Sequence, residues 1–190
     1  MLRRLNAIIR FSWCFPRRFR RDDRGVAAVE FALVAPILIC AYLGMAELTL
    51  GLMASRRTEH LAATLGDLAS QSDNLTAANL TDLWAIGASM LQPFSTTVGL
   101  RMRITEVTMG TNNQATVYWS QASSSWTKLT TGAAVPQVTT AQISAGQFLI
   151  MTEVQYDYVS PIGNFLPGTT HMTDTFYHHP RNGTQVTQTG

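Results

Sequence analysis

Residues 26–54 read VAAVEFALVAPILICAYLGMAELTLGLMA, and residues 31–46 within them carry no charged side chain. As an α-helix rising 1.5 Å per residue, such a stretch extends about 43 Å, more than the ~30 Å hydrocarbon core of a bilayer. The reading is a single membrane-spanning helix over 26–54, with Glu30 and Glu47 at its two edges near the interfaces. Pro36 lies inside it and is predicted to kink the helix or loosen one turn, which membrane helices tolerate better than soluble ones. The run is longer than the apolar region of an ordinary secretory signal peptide, and the basic stretch before it is too long for one.

Outward from this run, the two flanks differ sharply in charge. Residues 1–25 hold eight of the fourteen basic residues, among them Arg17, Arg18, Arg20, Arg21 and Arg24, against only Asp22 and Asp23. The leader is therefore +6, while residues 26–54 and 55–190 are each −2. Arg56 and Arg57 are a weaker counterweight on the far side, so the positive-inside rule predicts a cytoplasmic N-terminus and a C-terminal domain outside the membrane. Because the basic excess belongs to the leader alone, no nucleic-acid partner is expected for the folded domain. Cys14 lies in the leader and Cys40 in the apolar run, so no disulfide framework is expected, and Cys40 reads as a small apolar filler. With 190 residues the chain has room for one domain plus an anchor.

Glu30 is the residue in the run that asks for chemistry. A carboxylate near the start of a spanning helix costs about 2.5–3.5 kcal/mol at most on insertion scales and calls for a partner. Gly25 ends the charged leader, and having no Cβ it lets the backbone open into an extended form. A buried carboxylate beside an ammonium group recovers part of its desolvation cost by charge-assisted hydrogen bonding.

The string RDDRG-VAAVEFALVAP, with Gly25 at the junction, Glu30 at the fifth position after it and Phe31 next, resembles the cleavage motif of type IV prepilins. More narrowly, Gly25-Val26-Ala27-Ala28-Val29-Glu30-Phe31-Ala32-Leu33, with Pro36 and later Glu47, resembles the TadE-like group, the minor pilins or pseudopilins of tight-adherence (Tad, Flp-type) pili. Tyr156-Asp157-Tyr158-Val159-Ser160-Pro161 and His178-His179-Pro180-Arg181 loosely resemble the closing strands of such ectodomains. The resemblance implies cleavage between Gly25 and Val26 by a membrane-embedded prepilin peptidase. It further implies pairing of Glu30 with the new N-terminal amine of a neighbouring subunit. The implied setting is the bacterial cytoplasmic membrane, with other minor and major pilins, an assembly platform and the lipid bilayer as partners and possible transfer into a surface pilus. The competing reading is an uncleaved bitopic scaffold or assembly factor of a pilus or secretion system.

Beyond the apolar run, Leu61, Leu65 and Leu68 recur at helical spacing with Ala62 and Ala69 beside them, predicting one nearly continuous helix over about 26–69. Residues 71–74 break it, and Asn74 or Thr76 is placed to cap a second helix carrying Leu80, Leu83, Trp84, Gly87, Met90 and Leu91 on one face and ended by Pro93. From there the period becomes two. Residues 100–105 and 115–120 read as a hairpin about the Gly110-Thr111-Asn112-Asn113 turn, 148–159 as the clearest strand, and 172–177 as a last short one. Residues 123–146, rich in Ser, Thr, Gly and Ala, read as a long loop, and 181–190 as a polar, frayed end. The expected fold is α+β, a pilin-like ectodomain over 55–190, mainly β over 95–180, with a small antiparallel sheet on the helices.

No catalytic set is found, and the chain reads as a non-enzyme with no cofactor. His178 and His179 point to opposite faces if extended, which disfavours a metal site with His171. Glu153 and Asp157 are roughly 13 Å apart along a strand, too far for a retaining carboxylate pair. Arg101 and Arg103 read as a solvated strand face. The remaining alternative is a tethered envelope enzyme or glycan-binding module, resting on an exposed Trp119–Trp126 platform.

Overall fold

The computed structural model describes residues 25–97, 99–123, 126–160, 170–183 and 185–189. The basic leader, with Cys14, and Pro161 of the loosely matched motif lie outside them. Two compact units are formed, Met1–Met45 and Ala46–Gly190. In the first, the described residues are the beginning of helix α1, which runs as one element over Val26–Ser70 with Pro36 inside it.

In the second unit, the rest of α1 turns a stripe inward: Ala54, Thr58, Leu61, Ala62, Leu65, Gly66 and Ala69 are buried at steps of three and four residues. Burying each of the two leucines is worth roughly 1.5–3 kcal/mol. A short strand β1 (Asn74–Thr76) leads into helix α2 (Ala77–Met90). Thr76 is the N-cap: its hydroxyl accepts the Asn79 N–H at 3.2 Å, and the Asn79 carboxamide oxygen accepts the Thr76 N–H at 3.1 Å. This reciprocal pair satisfies two of the amides that a helix start otherwise leaves unbonded. At the other end of α2 the Arg57 guanidinium donates to the carbonyls of Met90 and Gln92. Leu80, Leu83 and Gly87 are the buried positions of α2, and Trp84 packs half-buried at the core's margin.

Strands β2 (Leu100–Met109), β3 (Ala115–Ala122), β4 (Phe148–Tyr158) and β5 (Thr170–His178) form an antiparallel sheet in the order β3-β2-β4-β5. The result is the expected α+β architecture. Leu100, Met102, Ile104, Ile150, Val154, Tyr156 and Tyr158 join the helices in one core. The opposite face carries a second core of Val107, Met109, Val117, Leu149 and Met151. Both faces of the sheet are therefore covered.

A β-bulge divides β3 between these cores. Glu106 is registered with Trp119 and Val107 with Val117, so Tyr118 is the extra residue. In a regular strand positions 117 and 119 share a face; the inserted residue sends Val117 to one core and Trp119 to the other.

One expectation is refined and two are corrected. The described part of 123–146 has the irregular backbone of the expected loop and also packs inward: Val135, Val138 and Ile143 are buried against the second core, Val117 exchanges backbone hydrogen bonds with Gly132 and Ala133, and Ala115 accepts one from Val135. The polar end is docked rather than frayed. Strand β6 (Thr187–Thr189) pairs in parallel with β1, Val186 is 1% exposed, and Arg181 bonds Asp67 at 2.5 Å. Arg101 and Arg103 are not a solvated face. Arg103 makes a two-pronged ion pair with Glu153 at 2.7 and 2.8 Å and lies 4.3 Å from the Trp126 ring, while Arg101 meets Asp157 at 2.9 Å.

Candidate assembly and processing segment

Helix α1 starts at Val26, directly after Gly25. A helix start exposes amides without intrahelical acceptors, and the amide of Val26 is one of them. Glu30 lies four residues on, one turn along and on the same face, with Leu33 and Ile37 continuing that face. All of residues 25–34 are exposed, Phe31 at 70%. Leu33, Ile37, Leu38, Ile39, Tyr42 and Met45 are likewise more than half exposed. In this unit the helix is long and apolar enough to cross a membrane, and none of its most apolar window is buried. Exposed aliphatic surface of this extent is unfavourable in water and matched to lipid or to apolar neighbours.

The predicted site residues thus fall on one short stretch. Gly25, Val26, Glu30 and Phe31 are adjacent at the start of α1, and Pro36 is exposed within it. A Cβ added to Gly25 would meet nothing within 4 Å, and its φ is not in the left-handed region. Packing in this fold therefore places no demand for glycine there.

Glu47 is different from its expected setting. It is 0% exposed, buried within the second unit rather than facing lipid headgroups. Its charge lies close enough to Tyr158 to help hold that phenol above its ordinary pKa, after the larger effect of burial. Sequence reading placed Glu47 at the far edge of the apolar run and missed this packing.

The other candidate chemistry disperses. Trp119 is 8% exposed, and its indole N–H donates to the Val186 carbonyl at 2.8 Å, so it offers no platform with Trp126. His171 bonds the Asp157 carboxylate at 2.7 Å. His178 is packed near Gly66 and Thr152, and burial lowers its pKa despite the nearby Asp67. Among the described residues no three His, Cys, Asp or Glu side chains are grouped to hold a metal ion. A residue that sequence reading missed is Glu106, a fully buried carboxylate on β2; the alternation of that strand continued one step further points to it.

Residues 25–65 match the family model described as TadE-like protein. No curated protein and no solved structure matches the chain.

Proposed function

We propose, taking the TadE-like segment at residues 25–65 as the premise, that this chain is a minor pilin-like structural subunit of a tight-adherence pilus. In this reading a prepilin peptidase cuts after Gly25, and the mature subunit is used in assembly or priming of the fibre. The observation that carries it is the apolar, wholly exposed start of α1 with a single carboxylate, Glu30, one turn from Val26.

Cleavage would turn the Val26 amide into an ammonium group at the positive end of a helix. Such a charge is unfavourable beside its own helix terminus and better placed against a neighbour's carboxylate. Glu30 of an adjacent subunit supplies one. A lone pair of this kind in a low-dielectric setting fixes the axial register of two apolar helices that otherwise slide freely. The role is structural rather than catalytic. The partners proposed are the peptidase, other pilins and the assembly platform in the cytoplasmic membrane, with the leader on the cytoplasmic side.

The freedom around Gly25 gives this reading a clean test. Gly25→Ala is expected to leave the fold unchanged and to block processing, because the added methyl meets nothing among the described residues while the peptidase would feel it. Mass spectrometry of the native protein should find Val26 as its first residue. Glu30→Ala should be cleaved normally yet be missing from sheared fibres. A native protein that retains Met1 in cells containing the peptidase would overturn the proposal in favour of an uncleaved membrane scaffold.

A further inference from the structure

Residues 185–189 reach the core of the second unit through Val186. Val186 is buried, its N–H donates to Glu106 Oε1 at 2.7 Å, and its carbonyl accepts the Trp119 indole N–H at 2.8 Å. On either side the holds are polar: Arg181 to Asp67 and to the Ser70 carbonyl, Asn182 and Thr187 to Asp73, and the three-residue pairing of β6 with β1. Strands β1 and β6 make a two-stranded sheet. Glu106 is itself fully buried, and its second oxygen, Oε2, has no hydrogen-bond partner among the described residues. A carboxylate in that position is costly when ionised and cheap when protonated.

We propose that residues 181–183 and 185–189 form a releasable strap, closed when Glu106 is protonated and loosened when it is charged. Burial pushes the Glu106 carboxyl up to about 7, while the Val186 N–H and, more weakly, the Trp119 indole pull the other way. Because burial is the larger effect, uncovering Glu106 returns it toward the ordinary carboxylate range. The closed strap therefore holds the proton more tightly than the open one. Its closure is fully favoured below about pH 4.3 and is lost as pH rises through about 7.

The groups on the neighbouring elements do not reproduce this behaviour. On β3 the residue opposite Glu106 is Trp119, which does not titrate, and on β4 it is Ile150. Beyond Ile150 on β5 stands His178, and Asp67 of α1 is paired with Arg181 of the strap. Protonating His178 in acid places a cation near Arg181 and weakens the strap, which is the opposite sign. Acidifying Asp67 also removes a hold rather than adding one. Opening bares the β1 edge, the seat of Val186 and the Trp119 indole.

Hydrogen exchange on the full chain in detergent micelles tests this. Protection of the Val186 amide, corrected for intrinsic exchange, should fall about tenfold between pH 6 and pH 8.5 in the wild type. In Glu106→Gln, whose amide oxygen still accepts that N–H, the fall should be less than about twofold. Amides of β2 and β4 should keep their protection throughout. An equal fall in both proteins, no fall in the wild type, or a parallel loss across β2 and β4 would overturn the proposal. A carbon-13 titration of the Glu106 carboxyl in the wild type needs no variant: a midpoint near 7 is expected, and one in the ordinary carboxylate range refutes it.

Discussion

At Gly66 α1 lies close against β4 and β5 of the sheet. A Cβ there would overlap His178 Nδ1 and lie 2.8 Å from Thr152 Oγ1, so the side chain must be absent for the helix to lie down. Gly66→Ala is expected to destabilise the domain by about 1–3 kcal/mol through this overpacking, read as a lower urea midpoint at unchanged slope. Adding His178→Ala to the same chain should restore part of the loss, a less than additive result that contact between the two positions requires. Trp119→Phe keeps the bulk and removes the indole N–H, leaving the Val186 carbonyl without that donor; a loss of about 1–2 kcal/mol is expected in the same assay. Leu61 and Leu65 were legible from their spacing alone. Trp119 was not, because its face is decided by the extra residue at Tyr118, and a bulge breaks the alternation by which a strand is read.

Elements here are tied by long-range hydrogen bonds as much as by apolar packing. Arg57 leaves α1 to serve the carbonyls at the end of α2, where a cation is favoured both by the unbonded C=O groups and by the helix dipole. Read as sequence it looked like a charge beyond the membrane edge. Arg57→Ala should cost roughly 1 kcal/mol, and Arg57→Lys should recover only part, since one ammonium cannot reproduce the planar fork. Urea unfolding of the three proteins in detergent checks the order. The helices and the antiparallel strands were readable because their periods of 3.6 and 2 repeat over many residues. The seating of Val135, Val138 and Ile143 was not, because an irregular backbone imposes no period on which of its side chains point inward. The N-cap was readable as two alternatives, Asn74 or Thr76, and the reciprocal Thr76–Asn79 pair selects Thr76.

For the whole molecule, the start of α1 and the folded second unit obey different solvents. Leu33→Arg with Ile37→Arg places two cations on the exposed apolar run, each costing about 2.5–3.5 kcal/mol at the centre of a membrane helix. The doubly substituted chain is expected to leave the membrane pellet on carbonate extraction, while the wild type stays. The four-stranded sheet should be unaffected, because neither position belongs to its unit. The start of α1 after Gly25 was legible because it is a local pattern; the docking of residues 185–189 was hidden because nothing local marks Val186 as a core residue. That docking has a consequence for biogenesis. Asn74 and Thr189 are 115 positions apart, yet they bond each other. The domain therefore cannot finish folding until residue 189 has been made and has come back to residue 74, so its closing contact waits on a stretch of more than a hundred residues.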